Sequence, residues 1–209
     1  MNPVFRKLGA AVGLPVLALA SVLWALKPAR PLLDKELHGS VGRVLAEEAS
    51  ARLGGRGRLV VVVPEAPFDL PLVDAQYGAF RRNVAKGVQI VAEAPIRLEQ
   101  MGPLDGLLTP DIYFGLAAKH PGVDAMVSFV GLGEFRDEDL AKVAGGMPPL
   151  YVVSVNVPVA EKLFAKGLVQ LAVGRHRKPG TGESGRSGRE AFDRVYEVVT
   201  PELAAHARK

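Results

Sequence analysis

The sequence predicts an α/β protein, a three-layer sandwich in which a mostly parallel, Rossmann-like sheet of five to six strands lies between helices. Three observations support this. Short uninterrupted apolar runs, such as Leu59–Val63, are typical of strands buried on both faces. Amphipathic segments of helical period alternate with these runs, as crossovers between parallel strands require. The composition, 48% hydrophobic and 23% charged among 209 residues, indicates a chain that folds around a substantial core.

The first elements are predicted from periodicity and from the residues that begin and end them. In the helix over Asp34–Arg52, apolar side chains recur at helical spacing, and a glycine-rich turn follows. Thr109 is expected to cap a later helix, since Pro110 suits its first position and Asp111 its first turn. Between these helices we expect the strand Leu59–Val63, a helix over Leu72–Lys86 and the strand Val88–Ala92.

The second half continues the alternation. Its predicted elements are a strand at Asp124–Val130, a helix at Glu138–Val143, a strand at Leu150–Val155, a helix at Val159–Lys166 and a strand at Leu168–Val173. The segment Phe192–Val199 fits either a strand or a helix. We expect no helix between Val173 and Phe192, so a sixth strand there would return as an antiparallel edge.

An apolar segment near the amino terminus predicts attachment to a membrane. Leu8–Leu26 has 19 residues without a charge, about the length that crosses the hydrocarbon core. Two interpretations stay open: an uncleaved signal anchor, which would form a transmembrane helix and which we favour, and a signal peptide cleaved between Ala20 and Ser21. We expect the anchor to lie in the inner membrane of a bacterial-type cell, with the body periplasmic or otherwise extracytoplasmic.

These patterns divide the chain into an anchor and linker (1–33), one α/β domain (34–200) and a carboxyl-terminal tail (201–209). Within the domain, the segment Arg175–Arg189 holds five cations and one anion, a balance of +4 that equals the net charge of the whole chain. Its glycines and Pro179 predict a flexible, solvated loop. Since a nucleic-acid interface needs a basic face on an ordered element, we expect no nucleic-acid partner.

The body of the sequence resembles one lobe of the type 1 periplasmic-binding-protein fold, as in sugar-binding receptors of ABC transporters. The resemblance runs from about Gly57 to Val173. It is carried by LVVVVPEAP (Leu59–Pro67) with the helix at Tyr77–Phe80, by GVDAMVSFVG (Gly122–Gly131) and by PPLYVVSVNVP (Pro148–Pro158). The family binds sugar in a cleft between two such lobes, whereas this chain has length for one. The family's ligand chemistry is therefore not carried over to this chain.

Patterns that common cofactors and nucleophiles require do not occur. The sequence has no cysteine, its four histidines lack ligand spacing, and no G-x-S-x-G elbow is present. The tract Gly180–Ser187 has P-loop spacing, but Arg186 replaces the lysine. Gly131-Leu-Gly133 lacks the third glycine of a dinucleotide fingerprint. We therefore expect no catalytic residues, no metal site and no cofactor.

Candidate ligand contacts are polar groups that follow predicted strands, because the carboxyl ends of parallel strands form the ligand crevice of an open α/β sheet. These groups are Glu65, Glu93, Gly131 and Asn156. Glu65 and Glu93 follow neighbouring strands and are expected to lie close together there.

Three hypotheses of function remain. The first is a membrane-anchored, envelope-exposed, non-catalytic α/β domain for binding or assembly, held to the membrane through Leu8–Leu26. The second is a receptor lobe for a sugar-like molecule, completed by dimerisation. The partners we expect besides the membrane are a second copy of the chain or another protein of the envelope. The third is an enzyme that uses the two strand-end carboxylates. We favour a protein that is not an enzyme.

Overall fold

A six-stranded sheet forms the middle layer of the structure, a computed structural model that describes residues 34–65, 70–97, 109–143, 146–153, 162–176 and 188–206. The strand order is β2-β1-β3-β4-β5-β6. The first five strands are parallel and the sixth is antiparallel to its neighbour. This confirms the α/β class, the mostly parallel sheet and the antiparallel return of the last strand.

The bounds of the elements agree with the predicted alternation. The strands are β1 (Arg56–Pro64), β2 (Gly87–Ile96), β3 (Ala125–Ser128), β4 (Leu150–Val153), β5 (Val169–Arg175) and β6 (Tyr196–Val199). The helices are α1 (Lys35–Arg52), α2 (Pro71–Asn83), α3 (Pro110–Lys119), α4 (Asp137–Val143), α5 (Arg189–Val195) and α6 (Pro201–His206). A helical turn at 162–165 precedes β5.

The core lies on both faces of the sheet, and β1 shows why. Its residues alternate between the faces: Val60 and Val62 pack with α3 and α4, whereas Leu59 and Val61 pack with α1, α2 and α5. All four side chains are fully buried. An uninterrupted apolar strand is needed because neither face meets water.

The strand β2 continues beyond its predicted end and contains a β-bulge. Ile90 pairs with Leu59 and Ala92 with Val60, so Val91 is the additional residue. Pairing then continues to Ile96, opposite Pro64. Glu93, predicted to follow the strand, therefore lies inside it.

The carboxyl-terminal part differs from the prediction in three ways. The ambiguous segment Phe192–Val199 is helix first and strand second. Both ends of the basic segment are ordered: Arg175 belongs to β5, and Arg189, in α5, forms ion pairs with Glu47 and Asp193. The expected tail contains α6, whose Ala204 is buried in the core.

The helices of the described ranges do not combine the length and the apolar character that a membrane span requires. The predicted anchor, Leu8–Leu26, lies outside the residues that the structure describes.

Candidate functional site

The strand order creates a crevice between β1 and β3. The chain leaves β1 toward β2 on one side and later returns to β3 on the other, and helices from opposite faces follow the two strands. In open α/β sheets this switch of direction leaves a gap outside the carboxyl ends of the strands, where ligands bind. The candidate site is therefore this edge of the sheet.

The register shows which residues meet at that edge. Pro64 pairs with Ile96, so Glu65 and Arg97 follow side by side. Val62 pairs with Ser128, the last pair between β1 and β3. Glu65 and Gly131 each follow this pair by three residues, so both come after the carboxyl ends of neighbouring strands.

Glu65 and Arg97 form a charge-assisted hydrogen bond at the end of β1 and β2. The Arg97 Nε donates to Glu65 Oε2 at 2.6 Å, and the Glu65 amide donates to the Ile96 carbonyl at 2.8 Å. The second carboxylate oxygen of Glu65 can accept hydrogen bonds, and a guanidinium supplies donors in a planar fork. Such a pair matches adjacent hydroxyl groups, which both donate and accept.

The loop from Phe129 to Phe135, between β3 and α4, is fastened to both faces of the sheet. Phe129 contacts Phe80 on α2, with ring centroids 5.5 Å apart. Phe135 contacts Tyr113 on α3 at 6.1 Å. Both phenylalanines are buried, so the loop crosses the end of the sheet in a defined position. A ligand in the crevice would meet a preorganised backbone.

Buried hydroxyl groups hold the middle of this loop. The Tyr113 hydroxyl donates to the Gly131 carbonyl at 3.0 Å, and the Ser128 hydroxyl donates to the same oxygen at 2.7 Å. Gly131 has a φ of +83°, in the left-handed region that favours glycine. Burial raises the pKa of the Tyr113 hydroxyl well above its usual range, so the hydroxyl stays protonated and able to donate.

Glu93 does not belong to this site. It pairs with Val61, four residues before Arg97, which places it about 13 Å along the strand from Arg97 at the strand rise. Its carboxylate lies 3.7 Å from the Arg81 guanidinium of α2, and both side chains are exposed. The expectation that Glu65 and Glu93 would lie together at the strand ends is therefore wrong, since β2 continues past Glu93 to Ile96. A shared acid/base pair has no geometric basis.

The buried hydroxyl group of Tyr77 interacts with this second pair. Burial first, and then the Glu93 carboxylate, raise its pKa. Within the described residues the hydroxyl has no hydrogen-bond partner of good geometry. It remains a neutral phenol beside the edge strand.

Arg97, Tyr113 and Ser128 were not predicted as site residues from the sequence. Asn156 was predicted as one, and it lies outside the described residues. Arg97 was not recognised as a strand-end residue because β2 was predicted to end at Ala92. Tyr113 lies on the apolar face of α3, where an aromatic residue is expected to be core.

A groove of about 420 Å³ lies elsewhere, along α4. It is lined by Asp137, Leu140, Ala141, Val143 and Lys166. None of these residues belongs to the strand-end edge. The described part of the chain contains no group of three or more acidic or histidine side chains that could hold a metal ion.

Comparison with solved structures identifies the fold. An arabinose-binding protein from Geobacillus stearothermophilus has a TM-score of 0.54 at 16% identity, over 81% of this chain and 62% of that protein. The fold is that of a periplasmic binding protein. A sugar-binding protein from Bacillus halodurans has a TM-score of 0.57 at 12% identity, over 81% of this chain and 64% of the other. A solute-binding protein from Bacillus halodurans C-125, with bound myo-inositol, has a TM-score of 0.50 at 15% identity, over 81% and 60%.

This likeness confirms the resemblance seen in the sequence at the level of fold. The chain spans less than two thirds of the length of each of these proteins. No protein-family model matches the sequence, and neither does any curated protein.

Proposed function

We propose that this chain is a non-catalytic receptor lobe that binds a sugar or a similar polyol at the carboxyl ends of its strands. One observation carries the proposal: the Glu65–Arg97 pair follows the carboxyl ends of β1 and β2, and β1 borders the switch of the sheet. The pair suits adjacent hydroxyl groups, and the fold is one whose solved examples include proteins that bind arabinose and myo-inositol. The second of the three hypotheses is thus preferred.

A single lobe contacts one side of a ligand, whereas binding sites that hold small molecules tightly enclose most of their surface. We infer that two copies, or one copy and an envelope partner, face each other across this edge. An isolated lobe should bind only weakly, with a Kd in roughly the high-micromolar range or above.

The test uses a pair of carboxylates on neighbouring strands. Glu65 and Glu93 each form an ion pair with an arginine, but only Glu65 lies at the strand ends. Titration calorimetry of the full chain in mild detergent, against arabinose, myo-inositol and adenosine monophosphate, should detect binding of a polyol. Glu65→Gln should weaken it about tenfold, the effect of losing one charged hydrogen bond.

Glu93→Gln is the matched control and should bind as the wild type does. Equal losses in both variants would contradict a site at the strand ends, and absence of polyol binding by the wild type would refute the function. Sedimentation of the same samples, with and without polyol, reports whether two copies associate.

A further inference from the structure

The end of the sheet opposite the crevice, where the parallel strands begin, carries a group of exposed cations. Those at or beside the start of β1 are Arg56, Arg58, Lys86 and Lys119. Lys119 is the last residue of α3, where the helix dipole favours a cation. The dipole does not account for the two arginines, because they lie within β1. We call these four residues the basic end of the domain.

Strand register and a turn contact bring the four cations together. Arg56 pairs with Gly87, the first residue of β2 and the neighbour of Lys86 in the chain. On the side of β3, the Arg58 guanidinium donates from Nη1 to the Gly122 carbonyl at 3.2 Å, in the turn that follows α3. Neighbouring strands lie about 4.8 Å apart, so β2, β1 and β3 place these charges across about 10 Å.

Little negative charge offsets these cations. Among the described residues, no carboxylate lies within ion-pair distance of any of the four. The acidic side chain beside them, Asp124, accepts a hydrogen bond from the backbone N–H of Arg58 at 2.7 Å. Four positive charges and this one negative charge leave +3 on the surface. Because like charges this close together repel one another, the folded chain gains no stability from the arrangement, which indicates an anionic partner.

The chemistry of the basic end favours an extended anionic surface. Its cations are exposed and come from both helix layers and the sheet between them. Surfaces that bind single-stranded nucleic acids add aromatic rings for base stacking, whereas the three turns here, residues 53–55, 84–86 and 120–124, contain no phenylalanine, tyrosine or tryptophan. A bilayer with anionic lipid needs no such rings, and each lysine or arginine near it strengthens the attraction about fivefold.

We propose that the basic end rests on the surface of a membrane that contains anionic lipid. The anchor predicted at Leu8–Leu26 would bring such a surface within reach of the body. The crevice lies at the other end of β1, whose nine residues extend about 30 Å at the strand rise. With the basic end on the bilayer, the crevice faces away from the membrane and is open to a soluble ligand.

The test uses the absence of cysteine from the chain, since one introduced cysteine then carries a fluorophore at a known place. Ala118→Cys labels the basic end, and Thr109→Cys labels the other end of the same helix, α3. The full chain is reconstituted with vesicles of phosphatidylcholine, alone or with an equal amount of phosphatidylglycerol, that carry a quencher on a small fraction of their headgroups.

We expect the anionic vesicles to quench the fluorophore at position 118 and not the one at position 109. Neutral vesicles should quench neither. About 1 M sodium chloride should abolish the quenching, because it shortens the screening length to about 3 Å.

Two matched double variants separate the basic end from net charge. Arg56→Gln with Lys86→Gln removes two cations of the basic end. Lys35→Gln with Arg136→Gln removes two exposed cations beside the starts of α1 and α4, at the crevice end. The first should lower the ratio of docked to undocked protein about tenfold or more, and the second should leave it nearly unchanged. All four side chains are exposed, so the melting temperatures should stay close to that of the wild type.

Several results would overturn the proposal. Absence of quenching at position 118, equal quenching at both positions, or equal quenching by neutral and anionic vesicles would show that the basic end does not dock on anionic lipid. Equal losses in the two double variants would attribute the attraction to net charge. Binding of a single-stranded RNA at position 118, without quenching by vesicles, would assign the surface to a different polyanion. None of these results bears on polyol binding, which calorimetry tests separately.

Discussion

His38 is a buried titratable side chain that joins the first helix to the last strand. Its Nδ1 lies 3.2 Å from the Tyr196 hydroxyl. Burial lowers the pKa of this imidazole, the Arg175 guanidinium lowers it further, and the Asp34 carboxylate opposes both. The neutral ring is therefore the form that the folded protein prefers.

This shift predicts how stability depends on pH. Above the ordinary histidine pKa of about 6.5, both the folded and the unfolded chain carry a neutral His38, and the contribution is complete. As the pH falls below that value, the unfolded chain takes up a proton first, so the free energy of unfolding decreases. Urea denaturation between about pH 7.5 and pH 5 should show this decrease, and His38→Gln should reduce it. Identical pH profiles of the two proteins would contradict the prediction.

At the scale of elements, α1 and α2 approach so closely that one position must be glycine. A Cβ atom on Gly42 would lie 1.8 Å from the backbone oxygen of Gln76 and 2.7 Å from its carbonyl carbon. Neither backbone atom can rotate away. The two helices would have to separate and lose packing over the whole face that covers Leu59 and Val61.

We predict that Gly42→Ala lowers the free energy of unfolding by about 2 kcal/mol or more, the usual cost of overpacking. Gly115→Ala is the matched control, since Gly115 also lies inside a helix but has no atom within 4 Å of its Cβ position. It should raise stability by about 0.5–1 kcal/mol, because alanine restricts the unfolded chain. Urea denaturation midpoints distinguish the two. Equal effects would show that the spacing of α1 and α2 is not what excludes a side chain.

At the scale of the whole molecule, attachment to a membrane remains a prediction from Leu8–Leu26. We expect the segment to be retained as an anchor, with the body exported. Mass spectrometry of the protein isolated from membranes should find an amino terminus that precedes this segment. A mature chain that begins at Ser21 would instead establish a cleaved signal peptide, and the body would then be released from the membrane.

Much of the architecture followed from the sequence because strands buried on both faces and amphipathic helices leave strong local patterns. The run Leu59–Val63 and the strand β4 are apolar without interruption, β3 and β5 are mostly apolar, and the helices between them keep their period. Element ends were less well predicted. The strand β2 reaches Ile96, with a bulge at Val91, because it pairs along the whole of β1, and no local pattern in the sequence records that pairing.

The sequence by itself determined the α/β class, the order of most elements, the antiparallel return of the last strand and the position of Glu65 after the first strand. These depend on hydrophobic period and on strand ends, which are local properties of the chain. Only the tertiary structure decided that Arg97 pairs with Glu65, that Glu93 faces Arg81 instead, and that Tyr113 and Ser128 meet at the Gly131 carbonyl. Each of these contacts joins residues through strand register or helix packing, so its geometry exists only once the sheet and its layers have formed.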